Sequence, residues 1–548
     1  MFEPDGYRTD GKRLMGRHAA GNGFLRAAVA AHAGRPIVGY TPRKASAEVF
    51  SATVAEMDAG AKAQWLGPNR PDLLSKLGHL YLPGPALGSY ARERLRTGPG
   101  AWSLTGVTHT TASDSSMDAI CELLTAPVMP WDALICTSNA VLGTVKVLLN
   151  AQADYLRWRL GKDTKMTLPQ LPVIPLGVHC DDFAIDPSAR AQARQALGIA
   201  DDEVVAVFLG RLAFHAKAHP HAMYTGLQAA ATKSGRKLVL LQCGWFANDS
   251  IEQAFRSGAA ATCPDVRCLF TDGRDSVSRG QSWAAADFFI SLSDNIQETF
   301  GLSPIEAMAA GLPVVVTDWD GYKDTVRDGI DGFRIPTWQP VGGTGTQLAY
   351  AYETAQETYD MYCGLSCAHV AVDLDVLADR LAALATDDKL RARLGDAGKA
   401  RAREMFDWPV VYRRYEGLWR DLDKIRASHP VAKAPAPRAG PARMDPFIAF
   451  GLYPTAQVIP ATQVSLRTGS NVQSYESLAQ HALFSYARGV IPTRDWVSRL
   501  VAMLESGPKT VASIAKESGT TEAATIRAVA VLGKMGVVDL LAAGSAAG

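Results

Sequence analysis

The sequence contains no run of the roughly 18 consecutive apolar residues that a membrane-spanning helix requires. It also lacks an excess of either charge: 56 Lys and Arg residues oppose 55 Asp and Glu residues, and the formal net charge is +1. The overall charge therefore favours neither nucleic acid nor an anionic membrane as a partner. Cysteines are few, eight in 548 residues, and they lack the dense spacing of a disulfide framework. With no signal peptide recognised, we expect a cytoplasmic, reduced protein.

The length exceeds what one hydrophobic core supports, because single cores rarely grow beyond about 250 to 300 residues. The composition, 47% hydrophobic and 20% charged, is globular, so two or three domains are expected. Cys363, Cys367 and His369 are the one grouping that suggests a metal site. A single grouping without a second pair of ligands is weak, and we interpret the two cysteines as small buried thiols.

The strongest chemical pattern lies in the stretch from Asp294 to Asp318. Two carboxylates, Glu298 and Glu306, are separated there by seven residues. Ser303 is a suitable helix N-cap, and Glu306 three residues later completes a capping box. The β-branched run Val314–Val316 then predicts a buried parallel strand. The stretch is therefore predicted to form a strand, a turn, a helix and a second strand.

The turn before this predicted helix combines features that suit two kinds of ligand group. Backbone amides just ahead of a helix attract anions such as phosphate, and here they belong to Thr299, Phe300, Gly301 and Leu302. Glu298 has no cation near it in the sequence, and its acceptor oxygens suit a polyhydroxylated ligand such as a sugar or ribose. Phosphate together with hydroxyl groups indicates a nucleotide sugar.

These residues resemble the E-x7-E signature of retaining glycosyltransferases of the GT-B fold in family 4, the group 1 glycosyltransferases. The resemblance covers both glutamates, the Phe-Gly-Leu between them, the run EAMAAGLPVV and the downstream Asp328, Gly329 and Gly332. It extends well over residues 100 to 425 and loosely over residues 1 to 99. It implies an α/β protein with two Rossmann-like domains that face each other across a cleft.

Two cations follow a predicted buried strand, Val204–Leu209. Arg211 and Lys217 are thereby placed at the carboxyl end of the strand, where open α/β sheets bind ligands, and two cations there suit a diphosphate. In the family, an Arg and a Lys at this place stabilise the leaving nucleoside diphosphate. The gap between them is one residue longer here than is usual, and Ala218 replaces the usual Gly.

The resemblance also implies roles for other residues. Glu298 binds hydroxyls of the donor sugar and Glu306 binds the ribose, although capping alone would also account for Glu306. His109, at the end of a predicted strand, would contact the donor sugar or lie near the reacting carbon; the alternative is a buried, hydrogen-bonded histidine. Gly244 ends another strand on the donor side, and the loop Thr271–Arg274 resembles the segment that reads the nucleotide base.

Near the N-terminus, Gly21, Asn22 and Gly23 precede a predicted helix, Phe24–His32. Two glycines allow a tight turn with close backbone approach to a ligand, and in the family a Gly-rich loop here faces the donor phosphate and the acceptor. The alternative is a turn that merely joins two elements. Farther on, the prolines in Leu80–Pro85 predict a turn rather than a strand.

The predicted domain organisation has four parts. By the resemblance, the first is a Rossmann-like acceptor domain and the second a Rossmann-like nucleotide-sugar domain, whose closing helix around 406–419 crosses back to the first. A Pro/Ala-rich linker follows, and then a small helical module of the helix-turn-helix or winged-helix type. The bounds are 1–185, 186–428, 429–446 and 447–548.

The part of the predicted module that carries the helix-turn-helix pattern has no basic excess with which to read nucleic acid. Residues 501–548 carry four Lys or Arg and four Asp or Glu, whereas a nucleic-acid reader needs a basic face. We therefore expect the module to contact protein, either a partner or a second copy of the chain, and we expect no nucleic-acid partner.

The sequence as a whole predicts a retaining glycosyltransferase that transfers a sugar from a nucleotide diphosphate sugar to a hydroxyl acceptor, with a role in bacterial polysaccharide or glycoconjugate synthesis. The acceptor would be a glycan, a lipid-linked sugar or a protein, and clustered arginines such as Arg157 and Arg159 leave a peripheral membrane location open. No Asp-x-Asp motif is placed for the diphosphate, so no metal cofactor is expected. A glycosidase, a phosphorylase-like enzyme and a non-catalytic nucleotide-sugar-binding protein are the alternatives.

Overall fold

The structure is a computed structural model that describes residues 1–7, 16–434 and 443–541. The chain divides into two compact units, Met1–Gly440 and Pro441–Gly548. Within the described residues, no helix has both the length and the apolar character that crossing a membrane would require.

The first half of unit 1 alternates helices with short parallel strands. Strands β1 and β2 pair with each other, and β3, β4 and β5 form a second parallel group in that order. The elements are α1 (Gly16–Ala31), β1 (Ile37–Tyr40), α2 (Lys44–Met57), β2 (Ala63–Leu66), α3 (Pro71–Leu77), β3 (His79–Tyr81), α4 (Gly88–Arg94), β4 (Ser103–Val107), α5 (Asp114–Glu122), β5 (Ala133–Ile135) and α6 (Asn139–Leu160).

The second half is built on one six-stranded parallel sheet. Its elements are α7 (Pro187–Ala196), β6 (Val204–Leu209), α8 (His221–Ser234), β7 (Leu238–Gly244), α9 (Asp249–Thr262), β8 (Val266–Asp272), α10 (Ser276–Ala285), β9 (Phe288–Ser291), α11 (Leu302–Ala309), β10 (Val314–Thr317), α12 (Tyr322–Thr325), β11 (Gly332–Ile335), β12 (Thr337–Trp338), α13 (Thr346–Glu353), α14 (Tyr359–Cys367), β13 (Ala371–Val372), α15 (Leu374–Thr386), α16 (Asp388–Arg401) and α17 (Trp408–Ser428).

The strand order in this sheet is β11-β10-β9-β6-β7-β8. The order reverses on either side of β6, and separate clusters of buried apolar side chains cover the two faces, as in a doubly wound sheet. Two Rossmann-like α/β halves therefore make up unit 1, and the predicted GT-B fold is confirmed.

The chain crosses between the two halves at two neighbouring points. Val178, on the first crossing, donates its amide to the carbonyl of Phe406 at 2.9 Å, and its own carbonyl accepts from the amide of Trp408 at 3.0 Å. Trp408 opens α17, whose buried aromatic face packs against Phe24 in α1. Tyr415 lies 5.3 Å from the same ring, centroid to centroid. The predicted closing helix thus returns to the first half.

Two local predictions are wrong. Leu80 is a buried residue of β3, paired with β4, so the segment Leu80–Pro85 begins in a strand rather than a turn; the prolines follow the paired residues. The capping box is also absent: α11 begins at Leu302, with Gly301 at the N-cap and no side-chain cap. Ser303 therefore lies inside the helix.

Unit 2 is a small α/β module with its own apolar core. Three short antiparallel strands pair in the order β15-β14-β16, and Gly519, with φ +66°, makes the turn between α22 and α23. Its elements are α18 (Pro446–Ala449), β14 (Gln463–Leu466), α19 (Val472–Gln480), α20 (Ala482–Ser485), α21 (Arg494–Leu504), β15 (Lys509–Thr510), α22 (Val511–Ser518), α23 (Glu522–Lys534) and β16 (Val538–Leu541).

The two helices on either side of Gly519 match the predicted helix-turn-helix pattern, and the last strand, β16, pairs with β14. The unit begins at Pro441, a few residues before the predicted start at 447. The predicted linker, 429–446, lies partly outside the described residues.

A buried ion pair ties α4 to the sheet of the first half. Arg94 and Asp132 are both fully buried, and the guanidinium donates to the two carboxylate oxygens at 2.6 and 2.7 Å. Asp132 also accepts the amide of Leu104 in β4 at 2.7 Å. The pair therefore connects α4 with β4 and the start of β5.

We expect Arg94→Leu to lower the free energy of unfolding by about 3 to 5 kcal/mol, because it leaves the Asp132 charge buried without its partner. Arg92→Leu is the matched control. Arg92 pairs with Glu122 at the surface, where such pairs contribute about 1 kcal/mol or less. Urea unfolding followed by circular dichroism measures both. Equal losses in the two variants would contradict the role assigned to the buried pair.

Candidate functional site

A cavity of about 460 Å³ lies between the two halves of unit 1. It opens at the carboxyl ends of β4, β6 and β7, where parallel α/β sheets bind ligands. All ten catalytic and donor-binding residues predicted from the sequence line it: His109, Arg211, Lys217, Gly244, Glu298, Thr299, Phe300, Gly301, Leu302 and Glu306.

Glycines shape the floor of this cavity. A Cβ atom added to Gly244 would lie 2.0 Å from the carbonyl oxygen of Gly210, and one added to Gly273 would lie 2.9 Å from the Cα of Gly244. Only glycine therefore allows the ends of β6, β7 and β8 to approach this closely. The result is a floor of bare backbone against which a ligand can lie.

Gly301 brings the start of α11 to the cavity. Its φ is +80°, and an added Cβ would meet the ring of Tyr322 at 2.0 Å, so a side chain is excluded both by conformation and by space. The first amides of α11, from Leu302 onward, have no intrahelical partner and carry the positive end of the helix dipole. This helix start offers a binding place for an anionic group.

Glu298 forms an ion pair with Lys217 at the cavity wall. The amide of Thr299 donates to the same carboxylate at 3.3 Å. Burial alone would raise the pKa of Glu298, but the Lys217 charge and hydrogen bond, with the amides of Thr299 and Phe300, hold that pKa below its usual value. Glu298 is therefore an ionised acceptor at neutral pH.

Glu306 has a different environment in the same cavity. Among the described residues, none donates a hydrogen bond to its carboxylate, since the capping box is not formed. Burial raises the pKa of Glu306 to about 7, opposed by the charges of Arg279 and Lys217. The carboxylate is thus held without a protein partner, as a ligand-binding group would be.

Arg211 is fixed by neighbouring oxygens. Its guanidinium donates to the carbonyl of Ala216 at 2.6 Å and to the side chain of Gln297 at 2.9 Å. Gln297 in turn donates to the hydroxyl of Tyr359 at 3.0 Å. Both Gln297 and Tyr359 line the cavity. The sequence analysis missed both: Gln297 lies beside Glu298 in the recognised stretch but is not part of the E-x7-E pattern, and Tyr359 belongs to no recognised motif.

The first half contributes His109, just after β4. Burial, with the nearby Arg17 charge, lowers the pKa of His109 to about 4. The imidazole is therefore neutral at pH 7 and can take part in hydrogen bonds without carrying a charge. Its backbone carbonyl accepts the hydroxyl of Thr299 at 3.0 Å, which joins the two halves beside the cavity.

The predicted glycine loop is wrong. Gly21, Asn22 and Gly23 lie inside α1. A Cβ at Gly21 would lie 2.0 Å from the carbonyl of Gly6, and one at Gly23 would lie 2.2 Å from the indole nitrogen of Trp408; the Asn22 amide donates to the Tyr7 carbonyl at 3.0 Å. The two glycines therefore allow α1 to pack closely against its neighbours. It is instead the start of α1, at Gly16 and Arg17, that lines the cavity.

The charges of the cavity lining favour an anionic ligand. Among the residues that the structure describes, five cations line it against two carboxylates, Glu298 and Glu306, which is a formal balance of +3. The lining also includes the loop predicted to read a base, through Gly273 and Arg274. The five cations are Arg17, Arg211, Lys217, Arg274 and Arg279. Arg279 was missed from the sequence, because it follows the recognised loop and lies in α10.

The proposed metal grouping does not converge. Cys363 and Cys367 are buried in α14, while His369 is exposed and hydrogen-bonds the Leu365 carbonyl through Nδ1 at 2.8 Å. No group of three or more potential ligands in the described parts of the chain is arranged to hold a metal ion.

Comparison with known proteins identifies relatives of the second half. The family described as "Glycosyl transferases group 1" matches residues 189–340. A phosphatidyl-myo-inositol mannosyltransferase of Mycobacterium leprae is 31% identical over 161 residues, 29% of this chain and 33% of the relative. A D-inositol 3-phosphate glycosyltransferase of Actinosynnema mirum is 30% identical over 193 residues, 34% of this chain and 43% of the relative. The matched segment therefore spans less than half of each relative.

Among solved structures, Anabaena HepE in complex with UDP aligns with 73% of this chain and 96% of its own, at 14% identity and a TM-score of 0.46. Sucrose-phosphate synthase from Thermosynechococcus elongatus aligns with 75% of this chain and 94% of its own, at 16% identity and a TM-score of 0.43.

The resemblance to group 1 glycosyltransferases that the sequence predicts is confirmed by the matched family.

We expect the affinity for a nucleoside diphosphate to rise as the pH increases from about 6 to about 8. Glu306, with its pKa raised to about 7, is protonated below that pH and ionised above it, and only the ionised form accepts hydrogen bonds through both oxygens. Isothermal titration calorimetry measures the change. A terminal phosphate also titrates near pH 6, so Glu306→Gln is the control. Identical pH dependence in that variant would contradict the assignment to Glu306.

Proposed function

We propose that this chain, whose residues 189–340 match the group 1 glycosyltransferases, is a retaining glycosyltransferase. It transfers a sugar from a nucleotide diphosphate sugar to a hydroxyl acceptor. One observation carries the proposal: Arg211, Lys217 and the start of α11 converge with Glu298 and Glu306 in one cavity at the strand ends. This combination suits a diphosphate flanked by two sets of hydroxyl groups.

The proposed chemistry develops charge of both signs. When the bond from the anomeric carbon to the leaving phosphate breaks, positive charge forms on the sugar and negative charge on the diphosphate. Arg211, Lys217 and the amides of α11 stabilise the diphosphate. They are in place before the reaction, and loss of one such preorganised donor commonly costs about 2.7 to 4 kcal/mol of transition-state stabilisation.

The ion pair between Lys217 and Glu298 is consistent with a site that has not yet bound its sugar donor. Without a ligand, each group satisfies the other. In the proposed complex, Lys217 turns to the leaving phosphate while Glu298 accepts hydrogen bonds from the sugar hydroxyls. Glu306, which has no donor among the described residues, accepts the two ribose hydroxyls. The exchange keeps Lys217 and Glu298 paired before and after binding.

Retention of anomeric configuration rests on the E-x7-E resemblance, and a neutral His109 is consistent with a hydrogen-bonding role beside the sugar. A glycosidase would use two carboxylates, one as acid and one as nucleophile, but would leave the cationic lining without a purpose.

The second candidate is a nucleotide-sugar-binding protein without transferase activity. Unit 2 favours it, because such a compact appended module suits a regulatory protein.

We place the reaction in bacterial glycan or glycoconjugate synthesis, without a metal cofactor. The acceptor is a glycan, a lipid-linked sugar or a protein, and the location is the cytoplasm, with a peripheral membrane site as the alternative. Unit 2 contacts protein, either a partner or a second copy, because residues 501–541 carry four basic and four acidic residues and so present no net charge to nucleic acid.

The first test is a thermal-shift panel of UDP, GDP and ADP. A ligand that binds only the folded state stabilises it by about 2.7 kcal/mol at one hundred times its dissociation constant, so we expect one of the three to raise the melting temperature. Arg211→Ala should remove the shift. Arg236→Ala, at an exposed arginine in the loop before β7, should keep it.

The second part of the test is catalytic. The enzyme should hydrolyse the matching nucleotide sugar slowly without acceptor, and Glu298→Ala should abolish this hydrolysis. The anomeric configuration of the transfer product, determined by NMR, tests retention. Binding without turnover of any nucleotide sugar would support the non-catalytic alternative, and the absence of stabilisation by all three diphosphates would overturn both readings of the cavity.

A further inference from the structure

Residues 337–372 form a separate excursion from the second half, which we call the strap. Its two ends are joined by the antiparallel pair of β12 and β13, in which Thr337 faces Val372 and Trp338 faces Ala371. Helices α13 and α14 lie between them. All but the first four residues of the strap lie beyond the segment that matches the glycosyltransferase family, 189–340. Most of the strap therefore lies outside the segment that the family model matches.

The strap packs on the loop that carries Arg211 and Lys217. A Cβ atom added to Gly364 in α14 would lie 2.9 Å from the Cβ of His215 in that loop. The carbonyl of His215 also accepts the side-chain amide of Asn295 at 3.0 Å. Helix α14 of the strap is thus in direct contact with the loop that carries the two cations.

Two tyrosines of the strap reach the first half across the cavity. The hydroxyl of Tyr352 accepts the amide of Asp114 at 2.9 Å. Asp114 is the first residue of α5, whose opening amides have no partner within the helix. The hydroxyl of Tyr359 lies 3.4 Å from the hydroxyl of Thr110. The strap therefore connects the second half to the cavity wall formed by the first.

Tyr359 also ends a hydrogen-bonded series that begins at Arg211. The guanidinium donates to the Gln297 carbonyl oxygen at 2.9 Å, and the Gln297 amide donates to the Tyr359 hydroxyl at 3.0 Å. A tyrosine hydroxyl has one proton to donate and can accept at the same time. Here it accepts from Gln297 and lies within hydrogen-bond distance of the Thr110 hydroxyl.

We propose that Tyr359 is a positioning residue: through Gln297 it holds Arg211 in place for the leaving diphosphate, and through Thr110 it ties that placement to the first half. The inference rests on the proposed function. Its consequence is that the diphosphate site is complete only when the strap touches the first half.

Burial supports the hydrogen-bonding role of this hydroxyl. It raises the pKa of Tyr359 well above its ordinary value, so the hydroxyl is protonated at neutral pH and can both donate and accept. Tyr350, in contrast, is 61% exposed on the same strap and makes no hydrogen bond through its hydroxyl to any described residue. It offers a matched control.

The test is steady-state kinetics of Tyr359→Phe in the full-length chain. Arg211 acts on charge that develops in the transition state, and one hydrogen bond is worth roughly a two- to tenfold change. We therefore expect kcat to fall about fivefold, while the KM for the donor changes less than twofold. Tyr350→Phe should match the wild type in both constants.

A double variant separates positioning from a general effect on the strap. If Tyr359 acts through Gln297, then Tyr359→Phe added to Gln297→Leu should lower kcat no further than Gln297→Leu alone. Additive losses, or wild-type kinetics for Tyr359→Phe, would overturn the positioning role. A wild-type protein inactive on every nucleotide sugar would overturn the proposed function, and this role with it.

Hydrogen exchange tests the strap contact without any reference to catalysis. Tyr352→Phe removes the acceptor of the Asp114 amide, so amide exchange in a peptide that covers residues 110–122 should speed up relative to wild type and to Tyr350→Phe. Unchanged exchange in that peptide would overturn the claim that the strap holds the first half, whatever the kinetics show.

Discussion

The mutual neutralisation of Lys217 and Glu298 is the interaction on which the site depends. A cavity built to receive a charged ligand must keep its own charges compensated while empty, because an unpaired buried charge is costly. Lys217 follows strand β6 of the six-stranded sheet, and Glu298 precedes helix α11, which packs on the same sheet. Glu306 meets the same constraint in another way: it takes up a proton near neutral pH.

The glycines at the strand ends complete this arrangement. Because Gly210, Gly244 and Gly273 lie against one another without side chains, the backbone itself forms one wall, and the charged groups come from the loops around it. The rigid sheet thereby sets the positions of groups that lie far apart in the sequence. Arg211 and Glu298 are 87 residues apart in the chain and line the same cavity.

Much of this could be predicted from the sequence. The strand Val204–Leu209 has the predicted bounds. Both glutamates of the E-x7-E pattern and the Phe-Gly-Leu between them line the cavity, since a local motif fixes its own geometry. The predictions failed where tertiary packing decides. The sequence predicts a loop at Gly21 and Gly23, yet both residues lie in a helix. They are glycines because Gly6 and Trp408 pack where their side chains would lie.

The same limit explains Ser303 and Tyr359. The sequence supports a serine cap, but the helix starts two residues earlier, with Gly301 at the N-cap in close contact with Tyr322, and Glu306 is left without a capping role. Tyr359 belongs to no motif recognised in the sequence and lies outside the matched family segment. Its place beside Arg211 follows from the path of the strap, which no local pattern encodes.

The two crossings between the halves have a mechanical consequence. Val178 is hydrogen-bonded to both Phe406 and Trp408, so the outgoing and returning segments lie side by side as one short ladder. Two bonded segments resist twisting and shearing much more than a single linker does. Any relative movement of the halves must therefore bend both segments together at this ladder.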